Sequence, residues 1–202
     1  EPQKLDQFLD QIFSKLDMKI SIKTRIGTHY EEDWEYLLAI YEKYPIHELI
    51  IHPRIQTDMY RGVPRLGAYE KAVNRLKMPL CYNGNLFSAA DYKRITERFP
   101  DTCCFMYGRG LITNPGLVTE IREGIRPNKK TVREFHDCLF EEYRELLSGE
   151  RNVLFRMKEL WSYMAVNFTN YEKYAKKIKK SQHLSEYSSV VSSLFAEQDL
   201  ID

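Results

Sequence analysis

The chain has 202 residues, of which 43% are hydrophobic and 29% charged, and its formal net charge is +1. That is the balance of a globular chain of one medium domain, or of one domain with a smaller appendage, and it gives no global electrostatic argument for nucleic acid. No apolar run approaches the roughly 18–20 residues of a membrane span, and the start, Glu1-Pro2-Gln3-Lys4, is not the basic-then-apolar start of a signal peptide. Because it also lacks an initiator Met, the chain is expected to begin inside a longer protein.

Residues 3–16 carry Leu5, Phe8, Leu9, Ile12, Phe13 and Leu16, the spacing of an amphipathic helix. Residues 18–23 alternate Met18, Ile20 and Ile22 with polar residues, which predicts a strand closed by Gly27. Asp33 is placed to cap a helix carrying Trp34, Leu37, Leu38, Ile40 and Tyr41, and Pro45 ends it. Glu48–His52 reads as a second, buried strand, and residues 68–76 as a helix. A third strand, Pro79–Tyr82, leads into Asn83-Gly84-Asn85, and Ser88 caps a helix to about Phe99. A fourth strand, Thr102–Tyr107, leads into Gly108-Arg109-Gly110, with Asn114-Pro115 as the N-cap and first position of the following helix. Four successive βα units predict a parallel sheet with right-handed crossovers.

After Gly124 and Pro127 the period becomes helical throughout: residues 131–147, 151–166, 170–180 and 184–197. Val132, Phe135, Leu139, Leu146, Leu154, Leu160, Trp161 and Met164 are the expected inner face of a bundle. Two domains follow, an α/β domain over 1–124 and an all-helical one over 125–202. Lys173, Lys176, Lys177, Lys179 and Lys180 fall on one predicted helix whose other face holds Tyr171, Tyr174 and Ile178. Such a row is either a solvated surface or a set of contacts to a phosphate backbone. His29, His47, His136 and His183 read as solvated or capping residues.

The chemistry gathers after the strands, where parallel α/β folds bind ligands. Lys23, Arg25 and Gly27 follow the first strand, and His52, Pro53, Arg54 and then Tyr60 the second; Asn83-Gly84-Asn85 follows the third and Gly108-Arg109-Gly110 the fourth. Glycines that admit close backbone approach, helix N-termini and one fork-shaped cation suit a phosphate. The cysteines, Cys81, Cys103, Cys104 and Cys138, include no C-x-x-C pair, so no metal site is expected, and free thiols suit a reducing cytoplasm.

The ordered set Lys23-Thr24-Arg25-Ile26-Gly27, Ile51-His52-Pro53-Arg54, Tyr60-Arg61-Gly62, Asn83-Gly84-Asn85 and Gly108-Arg109-Gly110 with Asn114-Pro115 resembles the tRNA-dihydrouridine synthases over roughly residues 15–120. The resemblance implies the second half of an FMN-dependent (β/α)8 TIM barrel followed by a helical tRNA-binding domain. By it, Lys23 and His52 contact the flavin near its N1/O2 edge, and Asn83, Gly84, Asn85, Gly108 and Arg109 hold the FMN phosphate; the family often carries an acidic residue where Asn85 stands. Arg25 and Tyr60 face the target uridine, while Lys173, Lys176, Lys177 and Lys180 meet the tRNA backbone. NADPH or NADH restores the flavin. The family's acid is a Cys of the upstream half of the barrel, so no catalytic residue is expected in this chain and the fragment alone is expected to be inactive. Two alternatives stay open, a flavin barrel acting on a small molecule and a non-catalytic RNA-binding module.

Overall fold

In a computed structural model, residues 1–201 are described. They form two compact units, one of residues 1–86 and 90–107, the other of residues 87–89 and 108–202.

The first unit alternates helices and strands: α1 (Pro2–Lys15), β1 (Ser21–Gly27), α2 (Asp33–Tyr41), β2 (Glu48–Ile55), α3 (Leu66–Arg75), β3 (Leu80–Tyr82), α4 (Ala89–Arg98) and β4 (Cys104–Phe105). The four strands pair in parallel in the order β1-β2-β3-β4. This is the expected partial barrel, with β1 and β4 as its edges.

The strands differ from the sequence reading in informative ways. β1 begins at Ser21 rather than Met18 and runs on through Arg25 and Ile26, so Lys23 is mid-strand and Arg25 is a strand residue rather than a loop residue. Its period-two alternation simply continues: Ile22 and Ile26 join the helix-side core, while Lys23 and Arg25 take the other face. β2 continues through Pro53-Arg54-Ile55. The register passes from Arg25↔His52 to Gly27↔Ile55, two steps on β1 against three on β2. That extra residue is a bulge, the setting in which a strand tolerates proline. β4 shrinks to two residues. Asp33 is the first residue of α2 and not its cap; Glu32 holds the cap position without a side-chain bond.

One core holds the layers of this unit together. Leu49 and Ile51 of β2, Ile26 of β1 and Tyr82 of β3 pack with Trp34 and Leu38 of α2, Tyr69 and Ala72 of α3 and Ile95 of α4. The buried Trp34 indole donates to the Ala68 carbonyl at 2.7 Å, and the Tyr69 and Thr102 hydroxyls bond at 3.0 Å, so the polar atoms in this core are satisfied. Each fully buried aliphatic side chain contributes about 1.5–3 kcal/mol by leaving water.

The second unit contains α5 (Arg109–Thr113), α6 (Leu117–Glu123), α7 (Lys129–Leu146), α8 (Glu150–Met164), α9 (Tyr171–Lys180) and α10 (Leu184–Glu197). Gly108-Arg109-Gly110 enters a short helix directly, and α5 packs on α8. Asn114 and Pro115 form the turn before α6 rather than its first positions. The Asn114 carboxamide oxygen accepts the Gly116 amide at 3.0 Å, and Gly116 is the cap. Val132, Leu154, Trp161 and Met164 are buried as the pattern predicts, but Leu146 is 74% exposed. It ends α7, beyond the reach of the core, so the apolar stripe overshoots the contact by one turn.

His136 overturns its sequence reading: it is buried, not solvated. The Trp161 indole donates to the Tyr187 hydroxyl at 2.7 Å, and that hydroxyl lies 2.6 Å from His136 Nε2. His136 Nδ1 lies 2.7 Å from Asp137, which also accepts from Arg133 Nε at 2.8 Å. Indole N–H can only donate and carboxylate can only accept, so protons run Trp161 to Tyr187 to His136 to Asp137 and the ring carries its hydrogen on Nδ1. No helix among the described residues is long and apolar enough to cross a membrane.

Candidate active site

The open face of the sheet is electropositive for a local reason. Alternation along β1 sets Lys23 and Arg25 on the face away from the helices, and the register puts His52 beside Arg25. Lys23 forms no ion pair or hydrogen bond among the described residues. Partial burial, and then the nearby Arg25 charge, hold its ammonium below the ordinary lysine range.

Arg25 is more constrained. Its Nη1 donates to the Ile55 carbonyl at 2.9 Å and the Met59 carbonyl at 3.1 Å, and its guanidinium lies 5.7 Å from the Tyr60 ring centroid. The Tyr60 ring in turn lies 6.1 Å from the His52 ring. The loop that carries Tyr60 turns sharply: Met59 has φ +53°, a left-handed value for a residue with a side chain. Local bonds hold it there. Met59 donates to the Gln56 carbonyl at 3.1 Å, and Arg65 pairs with Asp58 and, at 2.9 Å, with Glu31. The bond from Arg65 also keeps the Asp58 carboxyl below the usual carboxylate range. Tyr60 remains 57% exposed, so an aromatic face is offered to a flat partner while its base is fixed.

Arg54, named from the sequence among the groups after the second strand but given no role there, organises this region. It is fully buried. Its Nη1 lies 3.2 Å from His52 Nε2 and donates to Asn85 Oδ1 at 3.1 Å; Nε donates to the Arg61 carbonyl and Nη2 to the Gly62 carbonyl. The guanidinium fork thus ties the end of β2, the Tyr60 loop and the turn after β3 into one piece. Its place after His52 was visible in the sequence; its burial was not, because the strand runs further than its apolar run suggests.

The two glycine turns have different physics. Asn83 donates through its side chain to the Met106 carbonyl at 2.8 Å, which links the ends of β3 and β4. A Cβ on Gly84 would stand 2.2 Å from the Tyr82 hydroxyl, so glycine is required there by the chain's own packing. A Cβ on Gly108 meets nothing within 4 Å. Arg109 lies with its guanidinium 5.4 Å from the Phe87 ring centroid. Asn83, Gly84 and Asn85 belong to the first unit, and Gly108 and Arg109 open the second.

On α9, Lys173, Lys176, Lys177 and Lys180 are all exposed, with Tyr174 and Ile178 buried on the other face. Lys173 and Lys177 lie 5.3 and 5.7 Å from the Tyr174 ring centroid. The structure therefore joins His52, the Tyr60 loop and Asn85 through Arg54, sets Lys23 and Arg25 on the same sheet face on β1, and displays the lysines on a separate helix.

A family model described as dihydrouridine synthase (Dus) matches residues 1–198. Among curated proteins, the chain is 23% identical over 154 residues to a tRNA-dihydrouridine synthase B of Vibrio vulnificus, covering 76% of this chain and 46% of that protein. It is 29% identical over 152 residues to a tRNA-dihydrouridine(16) synthase of Shewanella oneidensis, covering 72% of this chain and 46% of that protein. A tRNA-dihydrouridine synthase B of Pasteurella multocida matches at 26% over 119 residues, 57% of this chain and 35% of its own length. The chain spans about half the length of the curated relatives it matches, or less.

Proposed function

The chain belongs to the dihydrouridine synthase family, and from that premise we propose that it forms half of a flavin-dependent enzyme reducing uridine in tRNA to 5,6-dihydrouridine. The observation that carries this reading is the set of cationic and donor groups Lys23, Arg25 and His52 on one face of β1 and β2, with Arg54 joining His52 to Asn85 after β3. Its chemistry fits FMN, whose isoalloxazine needs donors at an electron-rich edge. When bound, FMN supplies the hydride, and NADPH or NADH restores it.

Each residue has a role that its environment supports. Lys23, without a carboxylate partner, supplies positive charge to the N1/O2 edge, and His52, held by Arg54, supplies an oriented imidazole there. Arg25 and Tyr60 orient the uracil, one through donors to carbonyls and the other through its ring face. Asn83, Gly84 and Asn85, and separately Gly108 and Arg109, serve the phosphate group. Lys173, Lys176, Lys177 and Lys180 contact the tRNA backbone, a charge-driven and salt-dependent contribution.

The proton that completes the reduction comes from an acid outside this chain, a Cys of the upstream half. Cys81 does not suit the task. It is 2% exposed, and burial pushes its thiol up to about 12, which makes it a poor proton donor. A reducing, cytoplasmic setting is part of the same proposal.

The test is purification of the chain alone and within its longer polypeptide. The longer protein is expected to show a bound-flavin spectrum and to form dihydrouridine in tRNA lacking it, with no reduction of small enones. The chain alone is expected to give no turnover. A colourless, inactive long protein that still binds tRNA would replace this reading with the non-catalytic RNA-binding module. A coloured protein active only on enones would replace it with the small-molecule barrel.

A further inference from the structure

We propose that Glu48, Cys81 and Cys104 form a binding site for a thiophilic divalent cation, zinc in particular, on the sheet face turned away from the helices. The inference is independent of the flavin reading. Spacing rules could not reveal it, because no two of these residues are close in sequence. The sheet assembles them: Cys81 and Cys104 are register partners on β3 and β4, and Glu48 begins β2, two residues before Ile50, the partner of Cys81. One ligand atom from each lies within 4.8 Å of the other two. Tetrahedral zinc with Zn–S of about 2.3 Å and Zn–O of about 2.0–2.2 Å needs ligand atoms roughly 3.5–3.8 Å apart. The adjustment is therefore a side-chain rotation, not a backbone movement.

Two thiols and a carboxylate are a zinc donor set, with a fourth position left for water. In the structure the Cys81 thiol donates to the Tyr82 carbonyl at 4.0 Å. A dication replaces the two thiol protons, which leave to solvent, so the net charge of the cluster is unchanged while its three ligand atoms gain a common partner. It would also join three strands where the sheet is weakest, since β4 is held at only two register positions. Cys103 and Cys138 are exposed and take no part.

The protein, reduced and stripped with a chelator, is titrated with zinc against a chromophoric competitor, and with cadmium to read thiolate charge-transfer absorbance. We expect one equivalent of each metal, binding at least about tenfold weaker in Cys81→Ser, Cys104→Ser and Glu48→Gln, and unchanged binding in Cys103→Ser and Cys138→Ser. No stoichiometric zinc, or zinc indifferent to the first three substitutions, overturns the proposal. Should those variants misfold, alkylation of the unsubstituted protein decides: zinc should slow modification of Cys81 and Cys104 and leave Cys103 and Cys138 unaffected. Equal rates with and without zinc overturn it.

Discussion

Arg54 Nη1 stands 3.2 Å from His52 Nε2, two residues away on the bulged end of β2. A guanidinium only donates, so Nε2 accepts and the His52 ring presents its hydrogen on Nδ1. One buried side chain thereby fixes the tautomer of its neighbour, and through Asn85 and the Gly62 carbonyl it fixes the loops on either side.

Replacing Arg54 by Met should lower stability by about 2–4 kcal/mol, because the Arg61 and Gly62 carbonyls lose their donor and Asn85 its partner. Lys should recover only part, since an ammonium cannot span the fork. Urea unfolding measures both. Wild-type stability in Arg54→Met would show that the fork organises nothing.

The two turn glycines should respond in opposite ways. Gly84→Ala forces a methyl into the Tyr82 hydroxyl and should cost stability outright. Gly108→Ala enters open space, so it should fold with at most a small loss of stability, about 1 kcal/mol or less, from the poorer cap on α5. If the Gly108 turn serves the phosphate of FMN, that same variant should lose flavin. Thermal melting and flavin content of one preparation separate the two effects. Full flavin occupancy in Gly108→Ala would remove that turn from the site.

The second unit should weaken in mild acid. Burial lowers the His136 pKa, with the bond to Asp137 opposing in part, so the folded value lies below the unfolded one of about 6.5. The unfolded chain then binds the proton first, and stability is full above the unfolded pKa and lost as pH falls from there towards the folded value. Denaturant midpoints taken between about pH 8 and pH 5 should fall. His136→Asn should flatten that slope. Tyr187→Phe, which strands the Trp161 donor and the His136 acceptor, should cost about 2–4 kcal/mol at any pH in that range.

Charge reversal of Lys176, Lys177 and Lys180 to Glu should weaken tRNA binding and flatten its salt dependence while leaving flavin content untouched. These side chains are exposed, so the fold should survive with only a small loss of stability, from the Lys177–Tyr174 contact and from acidic groups in the last turn of α9. Filter binding at two salt concentrations reads the outcome, and an unchanged affinity at low salt would return α9 to a solvated surface.

How much of this could be read from the chain alone follows from what kind of information each feature needs. Periodicity is local, and it determined the four βα units and the helices after them; the positions of Lys23, His52 and the glycine turns along those units followed. Bulges and strand ends are not local. β2 runs on through Pro53 to Ile55 because a neighbouring strand accepts the extra residue, and this brings Arg54 into the interior where it meets His52 and Asn85. His136 looked solvated because its polarity was visible and its partners, Tyr187 and Trp161 on two other helices, were not. Cys81 and Cys104 looked unpatterned because their pattern is the spacing between strands. The sequence by itself determined which groups the protein owns and on which element each sits. Only tertiary structure decided which of them meet, since burial and pairing depend on residues far along the chain, and a charge or a thiol acquires its chemistry from those neighbours.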